Sequence, residues 1–348
     1  MKTKISIVIG MLAFIITSCN PKSESKTSDH QVLAKNIEYD VAINNYRVVA
    51  SCLEEGANYF YSSIDDIWYF NNLESSVRVP FIDQLFENAF KGKLELFDVN
   101  NKAMDTTMLK KMMIFQDTLH LMRTDPPYDT FDTIIKKKIC EALDITAIRF
   151  REEWTYDPQS MAINKKVVAM APIISLDKKN SGKTFVKGTG KPLFWIKFSK
   201  ETPVNTVLTK RIISNVPFFG KDDTKALNMD SALIEKYITA LISKLKSDSI
   251  TAYVAFDKLS NKKLSSKDVS ETLSGFAKEN KKITDIRFLE EWTFDPNTMY
   301  LQKKVVGICP LIKEYDAKGG FRGYIILFWV YFNDVWMPFD KKLDLAKK

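Results

Sequence analysis

Histidine is almost absent from the 348-residue chain, which contains only His30 and His120. His30 falls in a polar stretch near the N-terminus, and His120 falls in a segment without a counterpart in the second half of the chain. This placement argues against a histidine-based catalytic triad. The sequence also has no HExxH motif and no closely spaced histidine pair for a metal. We therefore expect neither a metal nor a cofactor.

Cysteine is also scarce, with four residues in the chain. Cys19 follows the N-terminal apolar run and is discussed with it below. The remaining Cys52, Cys140 and Cys309 are an odd number without paired spacing, which argues against a disulfide framework. A single bridge between Cys52 and Cys140 stays open as an alternative.

Long apolar runs are missing except at the N-terminus. The run Ile5–Ile16 is too short to span a bilayer as a stable helix, but it suits the core of a signal peptide. It ends in Ile16-Thr17-Ser18-Cys19, which resembles the bacterial lipobox, where signal peptidase II cleaves before the Cys and the thiol carries a diacylglycerol. We therefore predict a signal peptide over 1–18, lipidation of Cys19 and a flexible tether over 19–36. An ordinary cleaved signal peptide is the alternative.

Neither sign of charge dominates the sequence. The chain has 51 Lys and Arg against 43 Asp and Glu, for a formal net charge of +8. Because this modest excess is spread along the chain, it does not indicate a nucleic-acid binder. The apolar content of 45% indicates a globular protein with a sizeable core.

What the sequence does contain is one stretch that occurs twice. Residues 145–172 read ITAIRFREEWTYDPQSMAINKKVVAMAP, and residues 283–310 read ITDIRFLEEWTFDPNTMYLQKKVVGICP. A Phe-Trp run follows each copy, at Leu193–Ile196 and at Leu327–Val330. Similar helix and strand patterns lie upstream of both, so the duplication covers a whole domain. The first copy carries an insertion, which we place at Met108–Pro127 and expect to contain a Met-rich helix.

Each copy predicts a β-hairpin. Period-two alternation puts Glu152 and Trp154 in an apolar row of the first strand, and Glu290 and Trp292 are their equivalents in the second copy. A β-turn follows each strand, because Asp and Pro suit its first two positions. These turn residues are Asp157, Pro158, Asp295 and Pro296.

The pairing register of each hairpin depends on its loop. A two-residue loop would place Glu152 opposite Lys165, and Glu290 opposite Lys303. A longer loop or a bulge would shift this register by one or two residues.

The order of the elements predicts an α+β fold, with two tandem copies of a domain in which amphipathic helices pack on a small antiparallel meander sheet. Helices are expected over Ile37–Ile67, Phe81–Phe90 and Leu233–Lys246, and Val79-Pro80 is expected to break the chain between the first two. The predicted organisation is a first copy over 37–202, a second copy over 203–340 and a basic tail over 341–348.

Paired glutamates are the candidates for acid–base chemistry. Neighbouring strand residues point to opposite faces, so Glu152 and Glu153 cannot act on one bond, and the same holds for Glu290 and Glu291. Glu152 and Glu290 would form a glycosidase-like pair if the two copies brought them together. We favour structural ion pairs with the two hairpin lysines.

Two further patterns suggest ligand binding, a phosphate-binding-loop motif and a set of tryptophans, but each has a simpler structural explanation. Ser181–Thr184 resembles the end of a phosphate-binding loop, but Asp177 stands where the motif needs Gly, so we reject it. Tryptophans in alternating strand patterns favour core packing over stacking on sugar rings. They are Trp154, Trp195, Trp292 and Trp329.

The hairpin and the run after it carry a family resemblance. In the second copy the relevant segments are Ile286–Asp295, Val305–Pro310 and Leu327–Phe332, and the first copy repeats them less closely. Together they resemble the GldN family of gliding motility proteins, also called PorN. The resemblance covers roughly residues 60–335, and its motifs are moderately specific.

This resemblance implies a Bacteroidota envelope protein. GldN-like proteins form a periplasmic ring beneath the outer membrane with a lipoprotein partner, within the type IX secretion system and, in some species, the gliding machinery. The family has no catalytic residues to carry over. With two copies and a predicted anchor at Cys19, this chain would be a tandem-duplicated, lipidated, divergent member.

We therefore expect a non-enzymatic assembly component, lipid-anchored to the outer membrane and facing the periplasm, with other envelope proteins as partners and no nucleic acid. A lipid-anchored module that binds glycan or peptidoglycan is the alternative. A hydrolase that uses Glu152 and Glu290 is a third hypothesis.

Overall fold

The structure is a computed structural model, and it describes residues 30–43, 73, 75–127, 130–174, 191–218, 226, 228–254, 262–278 and 281–332. It has an α+β fold, as predicted. Its helices are α1 (Ser75–Phe90), α2 (Thr106–Met112), α3 (Ser231–Lys246) and α4 (Ser266–Lys278), with a short 3₁₀ helix at Ala142–Asp144.

Among the described residues the strands outnumber the helices in both copies. In chain order they are β1 (Gln31–Ala42), β2 (Leu96–Phe97), β3 (Ala103–Met104), β4 (Ile114–Met122), β5 (Phe131–Ile139), β6 (Ile145–Tyr156), β7 (Ile163–Ile174), β8 (Lys191–Pro192), β9 (Trp195–Lys197), β10 (Thr206–Pro217), β11 (Ala252–Tyr253), β12 (Lys263–Leu264), β13 (Asp285–Phe294), β14 (Leu301–Tyr315), β15 (Phe321–Ile326) and β16 (Val330–Tyr331).

The long strands of both copies belong to one 12-stranded sheet. Their order is β1-β6-β7-β14-β13-β10, and all neighbours are antiparallel. The copies join where Lys165 of β7 pairs with Lys303 of β14. The outer strands β1 and β10 contact each other, and residues of both copies share one hydrophobic cluster. The sheet therefore curls around a common core.

Strands β1 and β10 are equivalent elements of the two copies. Each pairs with the first strand of its hairpin, and each carries two register shifts at corresponding places. In β1, Ile37, Tyr39 and Val41 are buried and alternate with partly exposed residues, as a half-buried strand requires.

The predictions for this N-terminal stretch were wrong where they can be compared. The end of the expected tether and the start of the expected Ile37–Ile67 helix together form β1. The period-two signal over 37–42 outweighs the helical spacing that starts further along the chain. The rest of that predicted helix lies outside the described residues, as do the signal peptide, the start of the tether and the basic tail.

The expected break at Val79-Pro80 is also absent, because α1 continues through Pro80. A proline inside a helix removes one backbone hydrogen bond. The apolar face that follows it offsets this loss, since Phe81, Ile82 and Leu85 are all buried. The predicted helix over Leu233–Lys246 is confirmed as α3, which begins after Asp230, a side-chain cap for the amides of the first turn.

The insertion in the first copy differs from its prediction. A helix is present, but α2 ends at Met112, and the β4–β5 hairpin follows it. In the second copy the longer helix α4 stands between β12 and β13 instead. The β-branched and aromatic residues of 114–139 favour strands over a helix.

Helix α1 of the first copy packs against the hairpin turn of the second. The ring of Phe81 meets that of Phe294 edge-on, with 5.1 Å between centroids. The Asn88 side-chain amide donates to the carbonyl oxygen of Pro296 at 2.7 Å.

Helix α3 of the second copy packs in the same way against the hairpin of the first copy. Tyr237 meets Tyr156 edge-on at 5.0 Å, and its hydroxyl donates to the carbonyl oxygen of Met161 at 2.8 Å. Each copy thus supplies the helix that covers the hairpin of the other.

Two glycines give opposite predictions for stability. A Cβ on Gly307 would lie 2.8 Å from Cδ1 of Tyr331 and 3.0 Å from the Val330 carbonyl, so Gly307→Ala should displace β16 and destabilise the fold by about 1–3 kcal/mol. A Cβ on Gly275 in α4 meets nothing within 4 Å, so Gly275→Ala should stabilise by about 0.5–1 kcal/mol. Urea denaturation measures both, and equal midpoints for the two variants would contradict the packing at Gly307.

Candidate functional site: a buried ion-pair network shared by the two copies

Each signature hairpin closes through a turn that its aspartate organises. The Asp157 carboxylate accepts from the Ser160 hydroxyl at 2.6 Å and from the Gln159 amide at 2.9 Å. These hydrogen bonds hold the pKa of Asp157 below its usual value. The Met161 amide donates to the Asp157 carbonyl, and Met161 adopts a positive φ of 62°. The turn therefore runs past Pro158 and is longer than a two-residue loop.

The second turn repeats this arrangement. The Asp295 carboxylate accepts from the Thr298 hydroxyl at 2.7 Å, and Met299 adopts a φ of 57°. The carbonyl of Pro296 is the acceptor for Asn88 of α1. Asp and Pro at these positions thus shape the loops, and the second loop also seats a helix of the other copy.

The longer loops change the pairing register. Lys165 lies opposite Trp154, and Lys303 lies opposite Trp292. A register shift after Arg151 puts Glu152 opposite Val167. The register of a two-residue loop, with each glutamate opposite the lysine of its own hairpin, is therefore not formed, and the shift expected of a longer loop occurs instead.

The expected ion pairs with the two hairpin lysines are confirmed, but they cross between the copies. The Lys165 ammonium lies 2.5 Å from Oε1 of Glu290, and the Lys303 ammonium lies 2.6 Å from Oε1 of Glu152. All four side chains have 0% exposure. The shared core therefore does bring Glu152 and Glu290 together, but around two lysines.

The second oxygen of each carboxylate accepts hydrogen bonds from aromatic side chains. The indole N–H of Trp154 donates to Oε2 of Glu152 at 2.6 Å, and that of Trp292 donates to Oε2 of Glu290 at 2.8 Å. The Tyr39 hydroxyl donates to Oε2 of Glu152 at 2.7 Å. We call Tyr39, Glu152, Lys165, Glu290 and Lys303 the core network.

Aromatic rings enclose both ammonium groups. Lys165 Nζ lies 3.2 Å from the ring centroid of Phe288, and Lys303 Nζ lies 3.1 Å from that of Phe150. The indoles of Trp154 and Trp292 lie at 4.4 and 4.8 Å from the lysine of their own hairpin. Such contacts stabilise a cation that has lost its water.

One tyrosine breaks the symmetry of the network. Tyr39 of β1 lies opposite Phe150, and its equivalent in β10 is Ser214, opposite Phe288. Both lysine ammonium groups lie 3.3 Å from the Tyr39 hydroxyl. Since one hydroxyl already contacts both lysines, the second copy needs no tyrosine, and the buried Ser214 hydroxyl has no hydrogen-bond partner among the described residues.

Burial and charge compete within the network. Burial opposes ionisation of Glu290, but Lys165 and Lys303 outweigh it and hold the pKa of Glu290 below its usual value. Burial lowers the pKa of Lys165 against the opposing pull of the two glutamates. Burial and the neighbouring carboxylates raise the pKa of Tyr39 well above its usual value. The two carboxylates and two ammonium groups leave the network neutral overall.

Sequence reasoning missed Tyr39 and the crossing of the pairs. The alternation of Ile37, Tyr39 and Val41 was the signal for Tyr39, but it lay inside a segment predicted as a helix. No signal in the sequence distinguishes a lysine that pairs within its hairpin from one that pairs with the other copy. That choice depends on how the sheet curls.

The comparison with protein families agrees with this duplicated architecture. The family model described as gliding motility associated protein GldN matches residues 53–244 and 234–337. The chain belongs to the GldN family. Its two matched segments fit the tandem duplication, and the predicted resemblance is confirmed. No curated protein matches the chain.

Membership of the GldN family relates the chain to gliding motility and type IX secretion. None of the helices in the described ranges is both long and apolar enough to cross a bilayer. Cys19, Cys52 and Ser181–Thr184 lie outside those ranges, so the lipidation stays a prediction and the Cys52–Cys140 bridge stays an open alternative. Cys140 itself is buried.

The geometry limits what the signature residues of this GldN-family chain can do. With no exposed surface, Glu152 and Glu290 cannot reach a glycosidic bond in this fold. The tryptophans considered for sugar stacking are 1, 6, 0 and 8% exposed. They are Trp154, Trp195, Trp292 and Trp329.

Removing one carboxylate from the core network should be costly. Glu290→Gln leaves Lys165 charged and buried without its partner, which should destabilise the fold by about 3–5 kcal/mol. Glu291→Gln changes the adjacent residue, whose pair with Lys304 faces solvent, and should cost no more than about 1 kcal/mol. Urea denaturation at pH 7 measures both, and similar losses for the two variants would contradict the network.

The cost of Glu290→Gln should also depend on pH. Because the folded-state pKa of Glu290 is below the ordinary 4.5, its stabilising contribution is complete above about pH 4.5 and is lost as the pH falls through the folded-state value. The stability difference between the wild-type protein and Glu290→Gln should stay constant from pH 6 to 8 and narrow in acid. If the difference in the free energy of unfolding grew in acid, the pKa of Glu290 would be raised in the folded state and not lowered.

Proposed function

We propose that this protein is a lipid-anchored, non-enzymatic assembly component of the Bacteroidota cell envelope, bound to the outer membrane, facing the periplasm and acting with type IX secretion or gliding machinery. Its partners would be other envelope proteins. The observation that carries this proposal is the match of the GldN family to both copies of the duplicated domain.

The core network supports a role without catalysis at the signature residues. Enzymes keep perturbed acids and bases where substrate can reach them. Here, all four charged side chains of the ion pairs are buried in the core and pair with one another. These ion pairs hold the two copies together. We therefore expect the protein to act through its surface, by binding other proteins.

The sequence between the anchor and the fold limits how far the domain can stand from the membrane. The chain from Cys19 to Gln31 can span at most about 40 Å when fully extended. An anchored protein would thus remain next to its membrane, within reach of other membrane-associated proteins.

We also keep the boundary between the copies at 202–203 as part of the proposal. Strand β10 starts at Thr206 and repeats the pairing pattern of β1, which supports a second copy that begins shortly before it.

The anchor gives a direct prediction. Cys19→Ala should abolish incorporation of radiolabelled fatty acid and remove the protein from the outer-membrane fraction, because the unlipidated precursor keeps its signal peptide. Cys52→Ala is the matched control and should leave both unchanged. A Cys19→Ala protein that carries no label and still reaches the outer membrane would overturn the lipid anchor.

The assembly role is tested by affinity purification of the lipidated protein from solubilised envelopes, followed by mass spectrometry. Secretion or motility components should be enriched over a purification of an unrelated lipoprotein. Deletion of the gene should impair gliding or type IX secretion. Recovery of no such component together with normal gliding and secretion would overturn the proposed function.

A further inference from the structure

The β4–β5 hairpin stands apart from the rest of the fold. Its strands pair with each other in a separate two-stranded sheet. At the base, the Cys140 amide donates to the Met113 carbonyl at 2.8 Å, and both residues are buried. Past this base, no described hairpin residue belongs to the hydrophobic core. The described residues of the second copy contain no such hairpin, so the core of that copy forms without one.

One face of the hairpin carries exposed apolar side chains at five of its ten register positions. Ile114 lies directly opposite Ile139, and Met122 lies opposite Phe131, with Ile135 between them on the same face. We call these five residues the apolar face. Their exposures are 46, 65, 68, 58 and 61% in the order named. Exposed apolar patches of this kind mark interaction sites in folded proteins.

The charge on this face has one sign. Lys137 shares it and is exposed, while no Asp or Glu occupies a register position on that side of the hairpin. The ion pair between Arg123 and Asp132 lies on the opposite face. A partner that covers the apolar face therefore gains from placing a carboxylate next to Lys137.

The hairpin also presents the outer edges of its two strands. Within the described residues neither β4 nor β5 pairs with a further strand. A two-stranded ribbon is marginally stable alone, and an added strand satisfies the hydrogen-bonding groups of its edge. An extended segment thus fits this surface better than a folded helix.

We propose that the β4–β5 hairpin docks an extended segment of another envelope protein, with apolar side chains at alternate positions against the apolar face and an Asp or Glu beside Lys137. This rests on the proposed function and names its interaction surface. A second copy of the chain would bring Lys137 to the same interface without an acid. An anionic membrane would meet Asp125 and Asp132 near the apolar tip of the hairpin, and both are exposed.

The test uses the full-length protein in intact cells. A photo-crosslinking phenylalanine analogue at Ile135 should form an adduct with another envelope protein. Mass spectrometry should place the adduct in a segment that alternates apolar residues and contains an Asp or Glu. The same analogue at Val99, which is 59% exposed and lies outside the hairpin, should not yield this adduct.

Reversing the charge of Lys137 tests whether the partner places a carboxylate beside it. Lys137→Glu should reduce the adduct about tenfold, because it sets like charges against each other. Lys318→Glu reverses an exposed lysine elsewhere and should leave the adduct unchanged. Both variants should keep the wild-type melting temperature, since both side chains are exposed.

Three outcomes overturn the docking proposal: an adduct with a second copy of this chain, an adduct with lipid alone, or an adduct that Lys137→Glu does not weaken. If wild-type purification still enriches secretion or motility components, the proposed function stands and only the hairpin assignment fails. If neither experiment recovers an envelope partner, the proposed function fails as well.

Discussion

The crossed ion pairs are the constraint on which the fold depends. Removing four charged groups from water is expensive unless each finds a partner with good geometry. Here the partner of each lysine comes from the other copy, at 2.5 and 2.6 Å, with indole and phenol groups on the remaining oxygens. Because each lysine finds its carboxylate in the other copy, the crossed pairs tie the two copies into one core.

Helices α1 and α3 also pack across the two copies, each against the hairpin of the other copy. Phe81 of the first copy covers Phe294 of the second, and Tyr237 of the second covers Tyr156 of the first. The copies have diverged where this shared core allows it. Ser214 stands at the position equivalent to Tyr39 at the centre, and among the described residues the exposed β4–β5 hairpin is found in the first copy alone. A core shared by both copies and a surface that differs between them suit a protein that recognises its partners through its surface.

The same constraint changes the meaning of the conspicuous residues. Two glutamates brought together beside tryptophans suggest an active site when only their types are known. With two lysines between them and no exposed surface, they form a structural junction. The family match to both copies then directs attention to assembly rather than catalysis.

The sequence by itself determined the duplication, the α+β class, the hairpins and the family, because these depend on local periodicity, turn residues and repeated motifs. It determined that Glu152 and Glu290 lie in an apolar row, but not their partners. The tertiary structure alone decided the register, since the loops after Asp157 and Asp295 are longer than the minimum and a bulge follows Arg151. It also decided that Lys165 reaches Glu290 and Lys303 reaches Glu152, because only the curl of the joined sheet brings β6 and β13 face to face.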